Sequence, residues 1–534
     1  MKASSKGGPP DSSSEFRRRR SIMERKLATW LAILSVLAAG GPAHGFIGIY
    51  WGRFATQSMV PSMVVDLLLQ NGISEIRLYS PSTNVLTALE DSSLGVTVTL
   101  TNDFVKRMKW SNLQSVRDWI NELVAVPVKR GVNIRTIIVL DEPFYPVKGQ
   151  DPIWNATNVF RETVDCLQKA NLSHIRTTTT HFSNILKVGR KPSEADFQDE
   201  YKDKMLEYLS LYNSTNSFFM YDLYPIFSAQ LNNWPIEFAF MDNKSNFTIV
   251  DGKYTYTNAF EFMFDALVVA IEKAGYPDME IVIGQVGWPT DGAKDANITN
   301  AERFYRSFLM HIAQKKGTPR RPNTNIDVFL ATLTDENKIP LQVGPYQRRR
   351  GIYNYDGTPK FKIDFSGQGR DMYPWTAKGI VKMPSRWCIF NGDTSNLTKV
   401  DEQVRFACNK SDCTSLYFGS SCGNLNYTWN ASYAFNMYYQ SNNQELSSGA
   451  CGFAGLGALT PYDPSVGTCT FPVEILTAEN VDGGRQLINY IGYSQSGGAL
   501  HKTPYLTLGI PLLATFFVFL KHTSRTSAHY LPFQ

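Results

Sequence analysis

Met279-Glu280-Ile281-Val282-Ile283-Gly284-Gln285-Val286-Gly287-Trp288-Pro289-Thr290-Asp291-Gly292 is the stretch from which the fold is read. Its first half is apolar and β-branched, and its second is rich in Gly, Pro and Asp, the pattern of a buried strand running into a loop. A polar residue at the end of such a strand stands where many α/β folds keep their chemistry, although a core strand can also simply end in Gln. Ile134-Arg135-Thr136-Ile137-Ile138-Val139-Leu140-Asp141-Glu142-Pro143 repeats the form. Around these two, short apolar runs recur at 47–51, 73–79, 96–102, 174–180, 218–224 and 326–333. Amphipathic helices separate them. At 61–70, Met63, Val64, Leu67 and Leu68 share one face and Gly72 follows as a stop; a second helix at 261–274 is followed by Gly275. Strands alternating with helices over residues 46–365 predict a closed parallel (β/α)8 barrel of the TIM type. A doubly wound open sheet is the alternative, weakened because no glycine-rich phosphate loop follows the first strand.

In a parallel barrel all strand ends open on one face, so Glu142 after the fourth strand and Gln285 at the end of the seventh are expected in one cleft. Two carboxyls about 5 Å apart would suit glycoside hydrolysis, one as acid and base and the other attacking the anomeric carbon. Only Glu142 is a carboxylate.

The chain is 534 residues long, 43% hydrophobic and 13% aromatic, the composition of a folded protein with room for more than one domain. A net charge of +5 is small for this length, and no basic run interleaved with aromatics follows the leader, which argues against nucleic-acid binding. Arg17 to Arg20, Arg25 and Lys26 precede the apolar run 27–39, and Ala43-His44-Gly45 offers a cleavage site. Residues 1–45 therefore read as a signal peptide with an extended basic start, and Met23 is an alternative first residue. The run is too short to span a bilayer comfortably.

Six of the seven cysteines, Cys388, Cys408, Cys413, Cys422, Cys451 and Cys469, crowd into 387–475, while Cys166 stands alone on a probable helix as a buried thiol. An even cluster in an exported chain implies disulfides; the paired Cys and His spacing of a zinc site is missing. Residues 366–386, dominated by Gly, Pro and Lys towards Pro384, read as a linker. Sequons stand at Asn155, Asn171, Asn213, Asn243, Asn246, Asn297, Asn396, Asn409, Asn426 and Asn430. After 476, Ser494-Gln495-Ser496-Gly497-Gly498 and a polar spacer lead to the apolar run 506–520, the arrangement of a GPI-type lipid-anchor signal in the outer membrane leaflet. The polar end 521–534 leaves a short single-pass helix as the alternative.

At this point the chain resembles the plant β-1,3-glucan endohydrolases of glycoside hydrolase family 17, in the long form with a C-terminal six-cysteine glucan-binding module of the X8 type. Ile47-Gly48-Ile49-Tyr50-Trp51-Gly52 is similar to the family's first strand, and 76–79 to its second. Asp141-Glu142-Pro143-Phe144 matches Asn-Glu-Pro-Phe except at its first position. Gly287-Trp288-Pro289-Thr290 matches the end of Glu-Thr-Gly-Trp-Pro-Ser with Thr for the final Ser, and Trp387-Cys388 opens the module. The resemblance implies an extracellular monomer, at the plasma membrane or in the cell wall, that acts on β-1,3-glucan of the callose or laminarin type and needs neither cofactor nor metal.

It also assigns residues. The family's acid/base falls on Glu142 and its nucleophile on Gln285, an amide far less nucleophilic than a carboxylate. Tyr79, Asn102, Asp141, Asp222, Tyr224, Trp288, Glu336 and Lys338 fall on positions expected to line the cleft. Asp141 and Asp222 stand where relatives carry amides, so the site has exchanged one carboxylate for two. Adjacent Asp141 and Glu142 are expected to raise each other's pKa if both face the cleft. Gln347-Arg348-Arg349-Arg350-Gly351 replaces Glu-Arg-His-Trp-Gly, with the arginines expected in solvent. In the module, Trp387, Tyr433, Phe435 and Tyr439 are candidates for a sugar platform or for core. Two functions follow: a glucan endo-1,3-β-glucosidase with weak or absent turnover, or a catalytically impaired glucan-binding protein. A site rewired around Asp222 or Asp141, with water attacking directly, is a variant of the first.

Overall fold

A computed structural model describes residues 45–108, 113–145, 153, 156–341, 344–446 and 449–476. The leader, the apolar tail and the Asn155 sequon lie outside the described residues.

Strands β1 (Ile47–Trp51), β2 (Glu75–Leu78), β3 (Gly95–Leu100), β4 (Ile134–Val139), β5 (Arg176–Thr178), β6 (Thr180–Phe182), β7 (Phe219–Asp222), β8 (Ile281–Val286) and β9 (Val328–Ala331) form one parallel sheet in the order β5-β4-β3-β2-β1-β9-β8-β7-β6. The ring closes through the fifth stave. Expected as one strand at 174–180, it is divided: β5 pairs with β4, β6 pairs with β7, and Thr179 joins them. A barrel needs stagger between its staves, and changing partner in mid-strand supplies it. The strands are buried nearly throughout, as an all-parallel sheet wrapped by helices requires.

Helix α1 (Pro61–Gln70) buries Met63, Val64, Leu67 and Leu68 as the periodicity predicts, and Gly72 behind it takes φ +69°, a conformation that favours glycine. Cys166, on helix α2 (Ala156–Lys169), is a free thiol but only half-buried. Helix α3 is Lys202–Ser214, α4 Ala259–Lys273 and α5 Ile298–Ala313. The cap of α4 is Asn258, whose Oδ1 accepts from Glu261 N at 2.9 Å.

At the other end of the same compact unit, β10 (Trp387–Phe390) pairs antiparallel with β11 (Gly457–Thr460) beside helices α6 (Leu397–Lys410) and α7 (Tyr427–Ser441). Disulfides join Cys388 to Cys451, Cys408 to Cys413 and Cys422 to Cys469, stapling a fold with little core of its own. The four aromatics offered as a sugar platform are core instead: Trp387, Tyr433, Phe435 and Tyr439 are all buried. Trp387 donates Nε1 to Phe471 O at 3.0 Å, and Phe435 stacks on Phe453 at 3.8 Å. Phe435 and Tyr439 belong to one small core cluster of the module and Trp387 and Tyr433 to another. Among the described residues the exposed aromatics there are Phe406, Tyr417, Phe418, Tyr427 and Tyr462, Phe418 at 94%. Residues 366–386 contain no helix or strand, but they run along the molecule: Trp375 N donates to Asn71 Oδ1 at 2.8 Å and Met383 N to Glu474 O at 2.9 Å.

Candidate active site

A cavity of about 200 Å³ at the carboxyl ends of the strands takes Glu142 on one wall and Gln285 on another, with Tyr79, Asp141, Tyr224 and Arg350 between them. A larger cavity, about 690 Å³, lies between α4 and α5 on the barrel flank. It gathers none of the strand-end residues, so the chemistry belongs to the smaller one.

Glu142 follows β4 at a sharp turn in which Leu140 and Glu142 both take positive φ, +69° and +48°. Such backbone costs on the order of 1–3 kcal/mol per residue and persists where surrounding contacts enforce it. Those contacts are visible. Thr180 Oγ1 accepts from Glu142 N at 3.0 Å and donates to Asp141 Oδ1 at 2.6 Å. Asn102 clamps the Asp141 backbone on both sides, donating Nδ2 to its carbonyl at 2.6 Å and accepting from its N–H at 2.8 Å. Asn102 lines the cleft, but its amide is spent on this turn.

Gln285 sits within β8, next to a register irregularity at Gly284. A Cβ on Gly284 would lie 2.3 Å from Asp222 Oδ1 and 2.8 Å from an Arg77 guanidinium nitrogen, so only glycine lets that pair lie against the strand. The Gln285 amide is held at both ends. Tyr224 donates its hydroxyl to Oε1 at 2.8 Å, Arg350 donates to the same oxygen at 3.4 Å, and Nε2 donates to Asp222 Oδ2 at 3.0 Å. Arg350 also donates to the Tyr224 hydroxyl.

Asp222 is the hub. Fully buried, it accepts from Gln285, pairs with Arg77 through Oδ1 at 3.2 Å, and takes a hydrogen bond from the Glu142 carboxyl. Glu142 and Gln285 are therefore each one hydrogen bond from the same carboxylate. Burial, then the charges of Asp222 and Asp141, push the Glu142 carboxyl well above its usual range, which favours its protonated form beside Asp222. Burial raises Asp222 to about 6, against the pull of Arg77. Arg77, fully buried, also pairs with Asp141, donates to Gly284 O at 2.7 Å and lies over the Tyr50 ring at 5.0 Å. Both carboxylates are thereby occupied: Asp141 by Arg77 and Thr180, Asp222 by Arg77, Gln285 and Glu142.

Not every expected residue reaches the cleft. Trp288 is fully buried, stacked on Phe240 at 4.6 Å with Nε1 donating to Asp295 O at 3.0 Å, and is a core residue. Lys338 is exposed and outside the cavity lining, its backbone N–H donating to Phe54 O. Glu336 is buried behind the cleft, 3.8 Å from Arg350. Tyr79 lines the cleft and packs on Phe54 at 4.7 Å. The three arginines are not in solvent: the side chains of Arg348, Arg349 and Arg350 are 13%, 14% and 6% exposed. Arg77 and Arg350 were missed as site residues. For Arg77 a signal existed, a cation in the middle of an otherwise apolar strand. For Arg350 there was none, because a run of three arginines reads as a solvated loop. Among the described residues no group of His, Cys, Asp and Glu could hold a metal ion.

The buried acids predict a pH dependence. Burial raises Glu75, Glu261, Glu336 and Glu474 to about 7 and Asp222 to about 6. A raised acid holds its proton more tightly folded than unfolded, so its contribution is complete below the ordinary carboxylate pKa, about 4, and is lost as pH rises through 6–7. The midpoint of thermal unfolding should therefore be higher at pH 5 than at pH 8 at matched ionic strength. A flat or rising profile between those values would contradict protonated acids in the site.

A profile of glycosyl hydrolases family 17 matches residues 47–365, and one of the X8 domain matches 386–458. Over 462 residues, 85% of this chain and 95% of the relative, the sequence is 34% identical to glucan endo-1,3-beta-glucosidase 8 of Arabidopsis thaliana. Glucan endo-1,3-beta-glucosidase 5 of the same plant is 35% identical over 435 residues, 80% of this chain and 88% of the relative. Among solved structures, CJP38, a beta-1,3-glucanase and allergen of Cryptomeria japonica pollen, superposes with a TM-score of 0.57 at 28% identity, covering 60% of this chain and 99% of its own.

Proposed function

The chain belongs to glycosyl hydrolases family 17, and on that premise we propose that its cleft binds β-1,3-glucan while hydrolysing it weakly or not at all. Glu142 is the acid/base and Gln285 occupies the nucleophile position. One observation carries the reading: the Gln285 amide is fixed by Tyr224 and Arg350 at its oxygen and by Asp222 at its nitrogen. A retaining hydrolase needs a carboxylate there to attack the anomeric carbon and later depart from it. An amide oxygen already accepting two hydrogen bonds does neither at a useful rate.

A rewired reaction through Asp222 or Asp141 finds little support. Asp222 is buried behind Gln285, and both carboxylates are paired with Arg77. Glu142 and Asp222 are in hydrogen-bond contact, whereas about 5–5.5 Å suits a retaining pair and about 6.5–9.5 Å an inverting one. Tyr79 offers an aromatic face to a pyranose ring in the cleft, and Phe418 and Tyr462, the most exposed aromatics of the module, offer others.

Residues 1–45 are assigned as signal peptide, 46–365 as the barrel, 366–386 as linker, 387–475 as the module and 476–534 as linker with a lipid-anchor signal. The protein acts as an extracellular monomer held at the outer membrane leaflet or in the cell wall. The disulfides support an oxidising compartment.

The purified protein is expected to bind laminarin, a soluble β-1,3-glucan, and to release little reducing sugar from it. Turnover at rates ordinary for the enzymes of this family would overturn the impaired-site reading. Absence of both binding and cleavage would overturn the substrate.

A further inference from the structure

Two loops at the mouth of the barrel flank the Gln285–Arg350 pair. One is 287–292, which continues directly from β8; the other is 344–351. They are stitched together: Thr290 donates both its backbone N–H, at 2.7 Å, and its hydroxyl, at 3.0 Å, to the carbonyl of Arg349. At Gly292 the first loop presses so closely on the second that an added Cβ would lie 2.8 Å from the Cα of Tyr346. The second loop faces two ways. Gln347 and Arg350 line the cleft, while Arg348 and Arg349 turn outwards.

They turn into the module. Asp412, its side chain 1% exposed, accepts from Arg348 at 3.1 Å and pairs with Arg349 at 2.8 Å, and Thr414 Oγ1 accepts from Arg349 Nε at 3.3 Å. The other loop is gripped separately. Ser421 donates its backbone N–H to Asp291 Oδ1 at 2.8 Å and its hydroxyl to Asp291 Oδ2 at 2.7 Å. Asp412 and Ser421 are themselves fixed by the Cys408–Cys413 and Cys422–Cys469 disulfides next to them. A buried aspartate shared by two arginines holds geometry more firmly than a surface ion pair, because releasing either partner strands a charge out of water.

We propose that the module completes the cleft: Asp412 and Ser421 are positioning residues that hold the loop bearing Arg350 and the loop that follows Gln285, so the barrel binds its glucan in full only with the module docked. This rests on the reading of the cleft as a β-1,3-glucan site and adds that its affinity is set from outside the barrel. The two parts are one binding unit, in contrast to a module that tethers an independent barrel to the wall.

The test compares the intact protein with Asp412→Asn, Asp412→Glu and Ser421→Ala. Hydrogen exchange is followed in the peptides covering 344–351 and 287–292, and affinity for a short β-1,3-glucan oligosaccharide by calorimetry. Asp412→Asn should speed exchange in both loops without changing it in β1 or β4, and should weaken the oligosaccharide about fivefold or more. Asp412→Glu should recover part of both effects. Ser421→Ala, a smaller change remote from the ion pairs, should loosen 287–292 and weaken binding by less. Unchanged protection at 344–351 in Asp412→Asn overturns the proposal, as does unchanged affinity once that loop has loosened. If Asp412→Asn fails to fold, Ser421→Ala decides by the same two readouts. A parent protein that does not bind the oligosaccharide refutes the glucan reading instead, and leaves the exchange result to judge the clasp.

Discussion

Replacing Gln285 by Glu alone is expected to raise hydrolysis only modestly, and replacing Gln285 by Glu together with Asp222 by Asn to raise it far more. The reason lies in the hydrogen bonds around Asp222. In the native site the Gln285 amide donates to Asp222 Oδ2 and the protonated Glu142 donates to the same carboxylate. A glutamate at position 285 has no proton to give, so the single variant places three carboxyls in one buried cluster and at least one keeps a proton. Like charges in contact raise a carboxyl's pKa by roughly one to three units, which holds back ionisation of the new nucleophile. An asparagine at position 222 removes that repulsion and can still donate to the introduced glutamate, while Arg350 and Tyr224, already aimed at the side-chain oxygen of Gln285, favour the ionised form.

The double variant should therefore exceed the single by roughly tenfold to a thousandfold in reducing sugar released from laminarin. The ceiling is the cost of losing a nucleophile, on the order of 10⁶ in turnover. A double variant that binds laminarin as well as the parent yet stays inert would mean that something other than Gln285 holds the chemistry off, with Arg350 the first suspect.

Arg77→Met is expected to give the largest loss of stability of any single substitution in the barrel. The guanidinium is fully buried and serves Asp141, Asp222 and the Gly284 carbonyl at once, over the face of Tyr50. Met fills much of the volume but leaves two carboxylates and a carbonyl without their donor. Removing one partner of a buried ion pair costs on the order of 3–5 kcal/mol, because the remaining charge is stranded. Urea unfolding would measure it as a lower midpoint, and Arg77→Met with Asp222→Asn should recover part of the loss by removing one stranded charge. A loss below about 1 kcal/mol, the scale of an exposed pair, would mean that water reaches these carboxylates and that Asp222 is not the closed hub described above.

Much of this was open to reading in one dimension. A barrel strand is buried on both faces, so it is written as a continuous apolar run, and helices between such runs leave few architectures. The carboxylate of Glu142 after one apolar run, the amide of Gln285 in another and the clustering of six cysteines are facts of the chain itself and needed no coordinates. What the string does not carry is which residues meet across the ring. Arg77 and Asp222 are 145 positions apart, and their pairing depends on the stagger of the staves and on Gly284 leaving room. The same limit hid the direction of Arg350, placed Trp288 in the cleft, and left the four module aromatics undivided between sugar platform and core. An aromatic reads alike whether it stacks on a sugar or on Phe240.

By itself, then, the amino-acid sequence determined a closed parallel barrel with a disulfide-stapled module, a carboxylate after the fourth stave and an amide at the end of the seventh, because hydrophobic periodicity and residue chemistry are local properties. Only the tertiary structure decided that Asp222 would lie between Glu142 and Gln285, that Arg77 would pair with both Asp141 and Asp222, and that Asp412 of the module would grip the loop carrying Arg350. Each of those depends on burial and on distances between residues remote in the chain, and it is there, out of water, that a charge must find its partner.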